Sequence, residues 1–559
     1  MTDRSRSKKG AYKSGYEGIS RRNVLRAGAA IIPASIIAPA WLTASAQTTT
    51  TTFDYYVSPT GSDSNPGTLA APWAITSLSL FTRNAHNVAN CHLQAGKRIG
   101  FLPGIYDVSA LYYADSSTGA LQFIGGTSSA STYWGSSNSS GNYSARTATI
   151  DGKGASGKFG GGVFEAPMVA HTGVFPVTYA LGHAIIDGLR FTGFEYKGVR
   201  IGGSSSGDGP SGITNVIIRN CEFFGGGFNL GDSVDNCVAL WIDGTIGAVI
   251  TNNWFHDTTG HIAGSEDHLN AITVWGPNSG ATTQGTVITN NTVVNAGSVF
   301  GKERAIQGTT IAYNYIDVSS YSAVGAWGIE DFTGANTSGM SQTTTVNNNI
   351  VLMGNAAAIG QPTLNNSYGW STPVIVYNNT IIANSGPIVA AWLTVVAGSS
   401  GIGHVSYYNN IYDSGGHLGS FDNYGNYYLN PAGPTIWDYN MSPASGCGWT
   451  VYSNSDLTAA LASYSSPSAF ASGLSSKGGI NGAEAHSITG APVYVKTGAY
   501  AAMYQLAAGS PGKGTGSTNG TSSGSKTDMG AWGNGATQIG CNFSSGAAAT
   551  PNPPVLKVS

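Results

Sequence analysis

Short runs in which apolar and polar residues alternate recur along the middle of the chain, each broken by an asparagine-rich turn. They read VIIRNCEFF (216–224), VITNNWFH (249–256), VITNNTVV (287–294), TIAYNYI (310–316), TVNNNIV (345–351), VIVYNNTII (374–382) and VSYYNNIY (405–412), with weaker copies at AIIDGLRF (184–191) and ATIDGKG (148–154). Alternation over so few positions is the period of a β-strand, one set of side chains facing inward and the other outward. With Asn220, Asn252, Asn290, Tyr313, Asn348, Asn378 and Asn409 taken as equivalent, the repeat steps are 32, 38, 23, 35, 30 and 31 residues. One such strand pair cannot bury its apolar face alone, but copies stacked at the ~4.8 Å strand spacing make a continuous core. Asparagine at the fixed turn position tolerates left-handed backbone and can stack in ladders. Unequal steps put loops of varying length at the other corners, and the regular ~40-residue blades of a propeller are not seen. The pattern predicts an all-β chain wound as a parallel β-helix.

A second set of strands falls between the turns: GVRIGG (198–203), ALWIDG (239–244), AITVWG (271–276), FGKERAIQG (300–308), WGIEDFTG (327–334) and AAAIGQP (357–362). Alternation turns Val199 and Ile201 inward and Arg200 outward. The same logic sends Trp241 and Asp243 outward, then Thr273 or Trp275, part of Lys302-Glu303-Arg304, and Glu330 or Asp331. A slip of one residue would reverse these faces. The stretch 76–95 is expected to form a short amphipathic helix that blunts the N-terminal edge, and 125–145 a long polar loop.

Composition narrows the class. Of 559 residues, 79 are glycine and only 9% are charged. That excludes coiled coils and helical bundles, which need Ala, Glu, Lys, Leu and Arg in bulk. The formal net charge of −3 argues against a nucleic-acid binder, and 41% apolar content against disorder. Ser20-Arg21-Arg22-Asn23-Val24-Leu25, then an apolar run from Ala27 to Ala44 and Ala44-Ser45-Ala46, resembles a twin-arginine export signal cleaved near Ala46. The expectation is a periplasmic or secreted protein with no membrane anchor after cleavage. Less the eight basic and two acidic residues of 1–46, the totals of 25 and 28 leave 17 and 26, a net of −9 for the mature chain. The five cysteines show no metal-binding spacing, and pairing of Cys221 with Cys237 is one possibility.

Both ends carry motifs. DYYVSPTGSDSNPGTLAAPWAI (54–75) and FLPGIYDVS (101–109) resemble the opening coils of bacterial right-handed parallel β-helix proteins of the pectate-lyase-like superfamily. WDYNM (437–441), AHS (485–487), PVYV (492–495), LAAGSP (506–511) and DMGAWG (528–533) are similar to that family's closing module. The resemblance implies a single right-handed β-helix over 54–533, closed by 437–533, with 534–559 a loose tail. It also implies a polysaccharide partner, although the superfamily spans lyases, hydrolases, epimerases and non-enzymatic members.

The scarce charges are unevenly placed: 151–331 holds 24 of the 53, and 332–412 holds none. Such a cluster on the middle coils points to an active groove. In lyases of this family a base removes the proton α to a uronate carboxylate while a cation or metal stabilises the enolate. The resemblance therefore makes Lys302 the base and Arg304 the carboxylate clamp, with His268, Asp267 and Glu330 as further catalytic candidates. It also implies calcium as a possible helper, with Glu266, Glu303 and Asp331 as its oxygen ligands. Arg200 and Lys197 are expected to bind substrate, and Trp241, Trp275 and Trp327 to stack on sugar rings. His256 and His261 lack the partners of a zinc set. The expected function is a lyase acting by β-elimination on a uronate-containing polysaccharide. Acids on neighbouring coils, Asp243, Asp267 and Glu330 or Asp331 among them, leave a glycoside hydrolase as the alternative. A non-catalytic carbohydrate-binding surface protein is the third.

Overall fold

The computed structural model describes residues 52–78, 81–82, 85–86, 92, 94–111, 121–122, 125–137, 146–153, 162–165, 182–194, 197–201, 213–226, 238–258, 270–275, 283–296, 298–302, 306–319, 329–331, 343–353, 365–366, 374–383, 392–393, 405–414, 419–422, 437–442, 449–452, 460–466, 468–469, 472 and 484–543. The signal predicted over 1–46 lies outside them.

The strands wind into a right-handed parallel β-helix with three long faces. Sheet I has twelve parallel strands, from Tyr55–Val57 through Ala184–Asp187, Ile217–Arg219 and Val249–Thr251 to Trp437–Asp438. Sheet II also has twelve, from Gly104–Asp107 through Arg190–Thr192, Glu222–Phe224 and Trp254–His256 to Ile488–Thr489. Sheet III has seven: Leu121–Gln122, Gly162–Glu165, Lys197–Ile201, Val238–Asp243, Asn270–Trp275, Ser298–Lys302 and Ile329–Asp331. Register is kept from coil to coil by like residues stacking inside. Ile186, Ile218, Ile250, Ile288, Ile311, Val346 and Val376 form one buried row, and Phe191, Phe223 and Phe255 stack at 5.1 and 4.7 Å. Each such side chain contributes roughly 1.5–3 kcal/mol on burial, so a one-residue slip that exposed a whole row would be prohibitive.

The turn between sheets I and II divides two tasks between adjacent residues. Asn220, Asn252, Asn290, Tyr313, Asn348, Asn378, Asn409 and Tyr439 all adopt left-handed backbone, with φ between 55 and 58°. The ladder, expected from the same position, instead belongs to the residue that follows. Asn253, Asn291, Asn314, Asn349, Asn379, Asn410 and Asn440 are buried, and each Nδ2 donates to a strand carbonyl of the preceding coil. Each Oδ1 also accepts the backbone N–H of the ladder position one coil earlier, beginning with Cys221 N–H to Asn253 at 2.9 Å. From Asn291 onward each Oδ1 takes a second bond, from the preceding Asn Nδ2. Parallel sheets leave main-chain groups unpaired at a corner, and the amide row satisfies them.

Several left-handed residues reach the C-terminal segment, whereas Asn220 Nδ2 donates to Asp187 Oδ1 at 2.8 Å and Asn252 Nδ2 to Asn220 Oδ1 at 2.6 Å. Asn348 Nδ2 donates to Ala531 O at 2.8 Å, Asn290 Nδ2 to Gln538 O at 3.2 Å, and Asn542 N–H to Asn252 Oδ1 at 2.9 Å. Residues 534–543 are therefore strapped to the coils, contrary to the loose tail expected there; 544–559 lie outside the described residues. The same closing segment packs Met529, Tyr500, Ala531 and Ile539 on the outer faces of Ile411, Met441, Tyr315, Ile350 and Leu352. Outward positions are apolar where this cover lies and polar in the earlier coils, as the burial of apolar surface requires.

Three further expectations change. The stretch 125–145, expected as a long polar loop, contains the buried sheet I strand Thr132–Ser136, with Trp134 in the core. The helical cap shrinks to one 3-10 turn, Ile75–Leu78, followed by a two-residue antiparallel ladder of Phe81–Thr82 with Ala85–His86. Trp73 closes the N-terminal end instead, stacked between Tyr55 (4.3 Å) and His92 (5.0 Å). Cys221 forms no disulfide; its buried thiol sits inside the coil, and burial pushes it up to about 12.

Candidate functional site

Sheet III carries those of the expected site residues that fall within the described strands. Its register aligns Glu165, Arg200, Trp241, Thr273, Phe300 and Glu330 in one row across six strands, and Asp243, Trp275 and Lys302 in the next row of the same parity. Between them runs the row Ile201, Ile242, Val274, Gly301 and Asp331, of which Ile201, Ile242 and Val274 are core residues. Glu330 thus takes the row of Arg200, whereas Asp331 does not join an outer row. Glu266, Asp267, His268, Glu303, Arg304 and Trp327 lie outside the described residues.

The outer face is polar yet shielded. Lys197, Arg200, Trp241, Thr273 and Asp243 are 8, 5, 6, 0 and 1% exposed. Lys197 Nζ lies 4.9 Å over the Trp241 ring, a cation–π contact that is stronger out of water. Asp243 is two residues beyond Trp241 on the same face, and neither of its carboxylate oxygens has a hydrogen-bond partner among the described residues. Burial pushes this carboxyl up to about 7, against the opposing pull of the Arg200 charge and of the nearby Gly244 N–H, which itself donates to Thr283 Oγ1 at 2.9 Å. Three other buried acids differ: Asp187 accepts from Tyr133, Arg219 and Asn220, Glu222 from Arg190, and Asp317 from Ser319.

No family model matches the chain, and no curated protein is similar to it. Solved structures do resemble it. One described as pectate lyase Pel9A aligns with a TM-score of 0.42 and 14% identity, over 87% of this chain and 96% of the other. A rhamnogalacturonan lyase aligns at 0.35 and 14%, over 64% and 81%. A complex of XylC with xylose aligns at 0.31 and 12%, over 71% and 84%.

A calcium site has no complete donor set among the described residues, where no group of three or more His, Cys, Asp or Glu converges. Of the three ligands expected, Glu266 and Glu303 are outside those residues and Asp331 falls on the inner-row register. The chemistry proposed below uses side chains alone.

A second polar cluster, not anticipated from the sequence, lies on the outer face of sheet II in the same coils. Arg190 Nε and Nη2 donate to Glu222 Oε2 and Oε1 at 2.7 and 3.1 Å, and His256 reaches Glu222 Oε1 at 3.1 Å and Asp257 Oδ2 at 2.8 Å. The imidazole stacks on Trp254 at 3.8 Å and on Phe224 at 5.5 Å. His256 thus ends a strand of sheet II. Burial alone would raise the Glu222 carboxyl, but the His256 and Arg190 bonds outweigh it and hold it below the ordinary value. Every carboxylate oxygen is engaged, so this cluster is a clamp across three coils. Glu222→Gln is expected to cost on the order of 2–3 kcal/mol at pH 7, because it leaves Arg190 without its charge partner. A depressed carboxyl contributes stability above its unfolded value of 4.5 that is lost as pH falls through the folded value. Denaturant midpoints of the two proteins should therefore converge as the pH is lowered; a deficit that does not shrink at all in acid would mean shape, not charge, is responsible.

Proposed function

We propose that the protein is an exported enzyme whose sheet III outer face binds and cuts a polysaccharide, as a lyase acting by β-elimination on a uronate-containing polymer. Lys302 serves as the base and Arg304 as the clamp on the uronate carboxylate, with Arg200 and Lys197 binding further along the chain. Trp241, Trp275 and Trp327 supply stacking surfaces, and His268, Asp267 and Glu330 are further catalytic groups near the scissile bond. The observation that carries this reading is the register: it aligns Arg200, Trp241 and Glu330 in one outer row and Asp243, Trp275 and Lys302 in another, from stretches of sequence up to 130 residues apart. A groove of parallel strands holds such groups at ~4.8 Å intervals, a spacing suited to following a polymer. The mature net charge of −9 favours a sparsely charged heteropolysaccharide over a densely anionic one. The twin-arginine-like segment supports a periplasmic or secreted location.

A glycoside hydrolase is the second reading, favoured by the raised carboxyl of Asp243, since inverting and retaining enzymes alike need a protonated acid near neutrality. Incubating the mature chain with a panel of acidic and neutral polysaccharides, with and without chelator, separates the readings. Elimination leaves an unsaturated sugar that absorbs in the ultraviolet, and hydrolysis leaves reducing ends without it. Lys302→Ala should lower elimination ~10²–10⁴-fold. Binding without turnover, unchanged in Lys302→Ala, would leave a carbohydrate-binding protein.

A further inference from the structure

We propose that Asp243 donates the proton to the departing sugar oxygen at the sheet III surface. This rests on the reading of that surface as the place where the polymer is cut. Three observations converge on Asp243. It is outward-facing on the same strand as Trp241, it is 1% exposed, and both its oxygens lack partners among the described residues. Asp187, Glu222 and Asp317 are each supplied with donors, whereas both oxygens of Asp243 are left without them among the described residues. An unpartnered buried carboxyl is costly, and such costs persist where a group must act.

Its surroundings suit the role. Desolvation favours the neutral acid, which raises the fraction of Asp243 that carries a proton near neutral pH. The Arg200 charge nearby then stabilises the carboxylate that remains afterwards. Lys302 occupies the row of Asp243 two strands along, with Trp275 between them in register. Two strand spacings put these backbone positions about 9–10 Å apart, room for one sugar ring between an acid and a base. In the elimination, the base takes the proton from the carbon α to the carboxylate and a carbon–carbon double bond forms. The bond from the β carbon to the glycosidic oxygen breaks, and the Asp243 proton moves to that oxygen, which leaves as a hydroxyl. Solvent then returns a proton to Asp243 and takes one from the base.

The test uses the mature chain with whichever polymer of the panel it cuts, comparing the wild type with Asp243→Asn and Asp243→Glu across pH. A proton donor predicts a ~10²–10⁴-fold fall in kcat for Asp243→Asn, little change in KM, and loss of the alkaline limb of the wild-type profile, with partial recovery in Asp243→Glu. Full kcat and an unaltered alkaline limb in Asp243→Asn would overturn the role of Asp243 while leaving the sheet III surface as the site. If the wild type cuts no polymer of the panel, the reading of the surface falls, and this assignment with it. Melting curves of both variants show whether either loss reflects misfolding.

Discussion

Asp243→Asn should make the protein more stable at pH 8 while disabling it. An Asp free in the unfolded chain ionises near 3.8, whereas in the fold this carboxyl is pushed up to about 7. The folded state therefore holds the proton more tightly, and the contribution of this group to stability is greatest below pH 3.8. It declines as pH rises between the two values, and above 7 the full penalty, on the order of 4 kcal/mol, is present. The amide removes the charge but keeps the shape and remains without hydrogen-bond partners, so the net gain is expected to be roughly 1–3 kcal/mol at pH 8. At pH 4 the two proteins should unfold at nearly the same denaturant concentration. A variant that is less stable than wild type at both pH values would show that the carboxylate is held by favourable contacts, and the interpretation of Asp243 as a strained functional acid would be falsified. Stability gained at the expense of activity is the usual signature of a site residue.

The second large effect belongs to the ladder. Asn291→Ala removes the acceptor of both Asn253 N–H and Asn253 Nδ2, at 3.0 Å each, and the donor to Ile250 O. Each buried group stranded in this way costs ~1–3 kcal/mol, so the expected loss is about 5 kcal/mol, comparable with the whole net stability of many domains. The variant should be recovered in poor soluble yield or melt far below wild type. Asn290→Gly, one residue earlier, is the control. Glycine accepts φ of 56° without strain, and only the contact of Nδ2 with Gln538 O is lost. Its expected change is under ~1 kcal/mol. Equal damage from both changes would mean that the turn conformation, and not the amide row, holds the coils in register.

This contrast also shows how far the turn was legible. Asn-Asn doublets at 252–253, 290–291, 348–349, 378–379 and 409–410 announce that the corner needs asparagine twice. Which of each pair bends the chain and which stacks is not written in the doublet, because both positions suit the same residue. Coils with Tyr-Asn, 313–314 and 439–440, separate the tasks: tyrosine can hold left-handed backbone but has no amide to join the row. That signal was available and points to the second position.

The inner and outer faces of each strand were set by alternation, and with them the β-helix and the outward place of Arg200, Trp241 and Asp243. A period of two needs only local sequence. The clamp of Arg190, Glu222 and His256 was not legible, since its members are 32 and 34 residues apart and meet only when coils of unequal length come into register. Nor could the sequence show that the outer face of sheet III is shielded from solvent, or that Asp243 is left without donors there. Burial and hydrogen bonding are properties of what lies across the coil, and unequal loops hide that from any local pattern. Sequence alone determined the winding and the identity of the stacked rows; the tertiary structure decided which polar side chains those rows bring together, because electrostatics depends on distance in space and not along the chain.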